Sequence, residues 1–139
     1  INVNQLDNFG RNSLIIACRK NNPKCVELIL NSEYNINVNQ LDNKNYNCLM
    51  IACENSNPEC VELILNSEYN INVDQKNNRN ENCLMIACWK NSFKCAELIL
   101  NSKHEININQ LNGKNWNCLM IACYYDNFKC AKLILDSRL

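Results

Sequence analysis

Asn47-Cys48-Leu49-Met50-Ile51-Ala52-Cys53 is the stretch on which the fold turns. Asn is a good helix N-cap, because its side-chain oxygen accepts a hydrogen bond from a first-turn amide that has no partner inside the helix. The apolar run behind it predicts a short helix with little polar surface. Glu54-Asn55-Ser56-Asn57 breaks that helix. Asn57 is placed to cap a second one, with Pro58 at its first position, where a missing N–H does no harm. In the second helix Cys60, Leu63 and Ile64 form one i, i+3, i+4 stripe and Val61 and Leu65 another, with Glu62 as the charged gap. A helix that is apolar nearly all round is a buried helix, here expected between neighbours of its own kind. The segment from Asn66 onward is polar, Asn-rich and turn-like, and Ile71 and Val73 are its only extended apolar signal.

The pattern recurs. Units beginning at Ile1, Ile36, Ile71 and Ile106 share a 35-residue period, and the first two agree at 26 of 35 positions. One such unit cannot bury enough apolar surface to offset the entropy of ordering its backbone, so neighbours must supply the rest. The expected fold class is an all-α repeat solenoid of four helix-turn-helix units, 1–35, 36–70, 71–105 and 106–139, forming one array. The chain begins at Ile1 without Met, and Leu133, Ile134 and Leu135 keep the internal apolar pattern where a polar cap would stand. A longer array is therefore expected. The alternative is a structural segment that self-associates end to end.

Fourteen Lys and Arg balance fourteen Asp and Glu, which disfavours nucleic acid and anionic membranes as partners. No apolar run approaches the roughly 18–20 residues needed to span a bilayer. The 11 cysteines are odd in number and sit mostly in apolar helical runs, in register as Cys18, Cys53, Cys88, Cys123, as Cys25, Cys60, Cys95, Cys130 and as Cys48, Cys83, Cys118. Cys48 and Cys53 are five apart and off a shared face, and the one His is His104, so small buried hydrophobes are expected, with no metal and no cofactor. There is no Asn-x-Ser/Thr sequon, which together with the free cysteines suits an intracellular protein.

Catalysis finds little support. His104 lies in an interrepeat loop without an obvious partner nucleophile, and Gly10 and Gly113, the only glycines, make no phosphate loop. Asp7 and Asp42 fall in turns, where Asp brackets backbone amides. Asn37, Asn72 and Asn107 recur in register and are expected to form a hydrogen-bonded ladder between turns.

With these residues in hand, the chain resembles the ankyrin repeat family, whose unit is a β-turn followed by two helices with a T-P-L-H-x-A signature. Asn12-Ser13-Leu14-Ile15-Ile16-Ala17, Asn47 to Ala52, Asn82 to Ala87 and Asn117 to Ala122 occupy the signature. Val26-Glu27-Leu28-Ile29-Leu30 is similar to the family's second helix, and Ile36-Asn37-Val38-Asn39-Gln40-Leu41-Asp42 to its turn. The Thr, Pro and His of the signature are replaced, so their hydrogen bonds are expected to be missing. Two extra residues lie between the second helix and the turn, at Glu33-Tyr34-Asn35 and Glu68-Tyr69-Asn70. A tetratricopeptide array has a similar period but longer helices and shorter connections. Asn supplies 30 of 139 residues and Thr none, a bias that suits an AT-rich genome and resembles ankyrin arrays of protists and giant DNA viruses.

The resemblance implies a protein partner held on a groove of turn tips and first helices. Differences between units concentrate there, at Phe9, Lys44, Arg79, Lys114; at Arg11, Tyr46, Glu81, Trp116; at Arg19, Glu54, Trp89, Tyr124; and at Lys20, Asn55, Lys90, Tyr125. Trp, Tyr and Arg are the residues that most often anchor interfaces. Phe9, Arg11, Arg19 and Lys20 are the partner-binding residues expected in the first unit, and Tyr46 and Glu54 those of the second. Glu81, Trp89 and Lys90 follow in the third, and Trp116, Tyr124 and Tyr125 in the fourth, giving a groove basic at its N-terminal end and aromatic at its C-terminal end.

Overall fold

A computed structural model describes residues 1–137. Eight helices follow in order: α1 (Ser13–Arg19), α2 (Pro23–Leu30), α3 (Cys48–Glu54), α4 (Pro58–Leu65), α5 (Cys83–Trp89), α6 (Phe93–Leu100), α7 (Cys118–Tyr124) and α8 (Phe128–Asp136). No strand occurs among the described residues. Each odd-numbered helix packs on the even-numbered helix that follows it. The odd helices also form one continuous row, α1-α3-α5-α7, and the even helices a second, α2-α4-α6-α8. The fold is an all-α solenoid, and its core fills the space between the rows, where Leu14, Leu49 and Leu84 are fully buried.

Asparagine starts most of these helices. The side-chain oxygens of Asn12, Asn47, Asn82 and Asn117 accept from the amides of Ile15, Met50, Met85 and Met120. Asn22, Asn57 and Asn127 do the same for α2, α4 and α8, with Pro23 and Pro58 in first position. Ser92 departs from the pattern. It makes no cap bond, and its hydroxyl meets that of Ser56 and the Cys53 carbonyl in the preceding unit. Between paired helices one residue turns left-handed, Asn21, Ser56, Asn91 or Asp126. Asn and Asp tolerate that conformation better than most side chains do.

The cap asparagines also join the units. While Oδ1 caps a helix, Nδ2 of Asn12, Asn47 and Asn82 donates to the carbonyls of Asn37, Asn72 and Asn107 in the next unit, at 2.9, 3.0 and 3.2 Å. The amides of those same residues donate to Asn4, Asn39 and Asp74 at 2.8, 2.8 and 2.7 Å. The ladder between turns is therefore real, but different atoms carry it. The side chains of Asn37, Asn72 and Asn107 close their own turns, and it is their backbone that the preceding unit grips. A single asparagine thus caps a helix and crosses to the next unit, which compensates for the missing Thr and His.

The thiols recur at each junction as layers. Cys18 lies beside Cys48 and Cys60, Cys53 beside Cys83 and Cys95, and Cys88 beside Cys130 with Cys118 nearby, while the thiols of Cys48, Cys83 and Cys118 donate to the carbonyls of Val38, Val73 and Ile108. These contacts, followed by burial, hold the Cys18 and Cys53 thiols well above their ordinary range. Burial pushes Cys118 up to about 11. Nine of the 11 cysteines are buried, and only Cys25 and Cys123 are exposed. No group of three or more His, Cys, Asp or Glu among the described residues could hold a metal ion.

The two extra loop residues are tied down. The hydroxyls of Ser32, Ser67 and Ser102 donate to the carbonyls of Ile29, Ile64 and Ile99, and the Tyr69 hydroxyl donates to the Tyr34 carbonyl. His104 is held as well: its Nε2 lies 3.0 Å from the Leu65 carbonyl oxygen, a contact that pins the loop to the unit before it. No helix among the described residues is long and apolar enough to cross a membrane.

Candidate protein-binding surface

The variable residues stand on turns built in one way. In each unit an Asx side chain, Asp7, Asp42, Asn77 or Asn112, accepts from the amides two and four residues ahead. Those amides belong to Phe9 and Arg11, Lys44 and Tyr46, Arg79 and Glu81, and Lys114 and Trp116, which are two of the four variable columns. The oxygen that shapes each turn thereby orients the residues free to change. Gly10, Asn45, Asn80 and Asn115 supply the left-handed residue at the tip. Successive tips are linked by backbone bonds from Asn43 to Phe9, Asn78 to Lys44 and Gly113 to Arg79, at 3.0, 3.2 and 3.0 Å.

Two clefts lie between these tips and the first helices. The first, about 390 Å³, is lined by Arg19, Lys44 and Arg79, by Asp42 and Glu54, and by Tyr46 with Ile51 and neighbouring asparagines. The second, about 410 Å³, is lined by Trp89, Trp116 and Tyr125 together with Arg79, Glu81 and Lys114. In and beside the second, aromatic rings run continuously. Trp89 lies 6.5 Å from Tyr125, Tyr125 5.0 Å edge-on from Tyr124, and Tyr124 5.1 Å from Trp116, centroid to centroid. Three cations border this chain of rings. The Lys90 ammonium sits 4.6 Å from the Trp89 ring centroid, the Arg79 guanidinium 5.6 Å from the same ring, and the Lys114 ammonium 5.7 Å from Trp116.

The structure thus brings Trp89, Lys90, Trp116, Tyr124 and Tyr125 into one patch. Tyr124 and Tyr125 are exposed and the two Trp rings are half-buried. Glu81 lies at its edge, half-buried and paired with Arg79 at 3.1 Å. Arg19 and Glu54 meet in the first cleft, and Lys20 is exposed at the end of α1.

Three expected residues are differently placed. Tyr46 lies in the floor of the first cleft and offers little surface: only 5% of it is exposed, because the next unit packs over it and Arg79 donates to its hydroxyl at 3.1 Å. That burial, with Glu54 nearby, raises the Tyr46 pKa. Arg11 is half-buried and turned back into a 2.7 Å ion pair with Asp7, which holds the Asp7 carboxyl below its usual range through that hydrogen bond. Phe9 is exposed, yet its ring is covered on one side by the Arg11 guanidinium at 4.9 Å. The basic end is correspondingly less free than its composition suggests. Positive charge runs the length of the groove instead, through Lys44, Arg79, Lys90 and Lys114. Lys44, Arg79 and Lys114 share the variable column of Phe9 and lie outside the set of residues expected to bind.

A family model described as ankyrin repeats (3 copies) matches residues 1–77 and 69–138. No curated protein matches the chain. Repeats of this kind are in general protein–protein interaction modules rather than enzymes, and the structure has their two rows of helices and their stacked turns. The chain belongs to the ankyrin repeat family.

Proposed function

We propose that this chain is a non-enzymatic binding module that grips an extended segment of a partner protein along the groove of turn tips and first helices. In this reading the four units work as one array, inside the cell, with the last two supplying the anchor. The observation that carries it is the unbroken run of Trp89, Tyr125, Tyr124 and Trp116 bordered by Arg79, Lys90 and Lys114. Aromatic rings offer a large apolar area at small entropic cost, and cations at their edges favour carboxylates in what docks beside them. The segment expected has apolar side chains on the rings and acidic ones facing Arg79, Lys90 and Lys114, with further acids toward Arg19 and Lys44.

Trp89 and Trp116 are the only tryptophans, so tryptophan fluorescence, excited at wavelengths tyrosine does not absorb, reports on this patch alone. Peptides selected from a random library on the immobilised protein should be rich in Asp and Glu beside Leu, Phe or Pro, and should change that fluorescence on titration. Replacing Tyr124 and Tyr125 by Ala should weaken them by roughly 30-fold, the scale of a hot spot worth about 2 kcal/mol. The fold should survive, since both side chains are exposed. Selected peptides that bind the Tyr124→Ala/Tyr125→Ala variant as tightly as the parent would exclude the groove.

A further inference from the structure

The first cleft is built from successive units and centred where the second meets the third, and its floor holds a donor that the fold leaves unused. Arg19 comes from the first unit, Lys44, Tyr46 and Glu54 from the second, and Asn78 and Arg79 from the third. Tyr46 is the most deeply buried of these, and its hydroxyl accepts from Arg79. The hydroxyl's own proton goes to no described residue. Burial, above all, raises the Tyr46 pKa, so the group keeps that proton and remains a donor. The cations around it have capacity to spare. The Arg79 side chain is 62% exposed and, beyond its bonds to Glu81 and Tyr46, retains guanidinium N–H groups to donate. Arg19 and Lys44 form no ion pair with a described residue.

Neighbouring donors with no acceptor of their own call for an oxyanion. Its charge follows from the walls. Three cations, Arg19, Lys44 and Arg79, stand against two carboxylates, Asp42 and Glu54, which leaves a net single positive charge. Asp42 commits one oxygen to the amides of Lys44 and Tyr46, and Glu54 pairs with no described cation. One negative charge balances this cleft, whereas a phosphate dianion would be set against the Glu54 carboxylate. The position along the groove is equally defined. The Tyr46–Arg79 bond joins the second unit to the third, the Trp89–Tyr125 contact joins the third to the fourth, and Arg79 lines both clefts. Packed helices, and hence successive units, stand about 8–10 Å apart. A β-strand puts same-face side chains about 7 or 13 Å apart, which misses that spacing. A polyproline II segment puts every third residue on one face, about 9 Å on.

Building on the groove reading above, we propose that the first cleft is a pocket for one carboxylate of the partner, an Asp or Glu side chain bound by the Tyr46 hydroxyl and the Arg79 guanidinium. The partner segment is in the polyproline II conformation, and its acid stands three residues from the apolar side chain that rests on the Trp89 and Tyr125 rings. Tyr46 thereby contributes to binding through one buried O–H and not through exposed area. Arg19 and Lys44 add long-range attraction from the rim.

Two capped hexapeptides, Pro-Glu-Pro-Pro-Leu-Pro and its reverse Pro-Leu-Pro-Pro-Glu-Pro, provide the test, titrated to millimolar concentration against the whole chain with tryptophan fluorescence as the readout. One of the two orders should bind, at least about fivefold more tightly than peptides with Glu and Leu two or four places apart. Exchanging Glu for Gln should weaken binding about tenfold on the wild type and less than about twofold on Tyr46→Phe, a loss of coupling that identifies the hydroxyl. Phosphoserine in place of Glu should bind no more tightly than Glu. Circular dichroism checks the fold of Tyr46→Phe, and if that variant does not fold, Arg79→Gln, altered at a mostly exposed side chain, takes its place with the same expectation. Absence of binding in both orders, indifference to spacing, a full Gln penalty on the variant, or a preference for phosphoserine would each overturn the carboxylate pocket. The groove reading is judged separately, by whether the library-selected peptides respond to Tyr124→Ala/Tyr125→Ala.

Discussion

The heptapeptide Asn-Cys-Leu-Met-Ile-Ala-Cys occurs three times, at 47–53, 82–88 and 117–123, and meets two environments. In the second and third units all seven residues are buried. In the fourth the same letters form the same helix with the same cap, yet Met120 and Cys123 are exposed and Leu119 is only partly covered. Local structure is thus written within the unit, and burial is supplied by the neighbour. A repeat array separates the two effects cleanly, because identical side chains can be compared with and without a described unit stacked on their outer side.

The strongest way to break this comparison is to delete the same leucine twice. Leu84→Ala should cost about 3–4 kcal/mol in urea unfolding, as expected for a fully buried leucine, and Leu119→Ala about 1–2 kcal/mol. Equal losses would mean that stacking contributes nothing beyond the unit. The cap asparagines sharpen the same point. Asn82→Ala removes the cap of α5 and the bond to the Asn107 carbonyl, and should cost about 2–3 kcal/mol. Asn117→Ala removes a cap alone and should cost about 1 kcal/mol.

A third comparison uses pH. The Cys118 thiol ionises near 9.0 in the unfolded chain and at about 11 in the folded one. A thiol with a raised folded pKa stabilises fully below the unfolded value, and that contribution is lost as pH climbs from about 9 to about 11. The loss should be on the order of 2–3 kcal/mol, and Cys118→Ala should flatten the profile by that amount. The smallest effect lies at the opposite end of the array. Arg11→Ala should return the Asp7 carboxyl toward its ordinary titration range, read by NMR, with the global fold unchanged.

Much of the candidate site was legible before the structure. Trp89, Trp116, Tyr124 and Tyr125 fall in columns where units differ, and the period alone places those columns on the same edge. Tyr46 occupies the same column as Trp116 and looked equivalent. Its burial is caused by Arg79, 33 residues later, which closes over the phenol. Arg11 looked like a free cation, and its pairing with Asp7 depends on how the turn folds back. Pattern within one unit reports which positions are free to vary. It does not report which of them the next unit covers.

The amino-acid sequence by itself determined the helices and their caps, which rest on interactions between residues a few places apart, and its 35-residue period, repeated without interruption, determined the solenoid. Tertiary structure alone decided that asparagine amides, and not the expected ladder side chains, bind unit to unit, that the thiols gather in layers, and that four aromatic rings meet under three cations. The asparagine bonds, the thiol layers and the Trp89–Tyr125 contact that joins the third unit's ring to the fourth's all link residues more than two dozen places apart along the chain, and stacking geometry, which no local propensity encodes, selects among them.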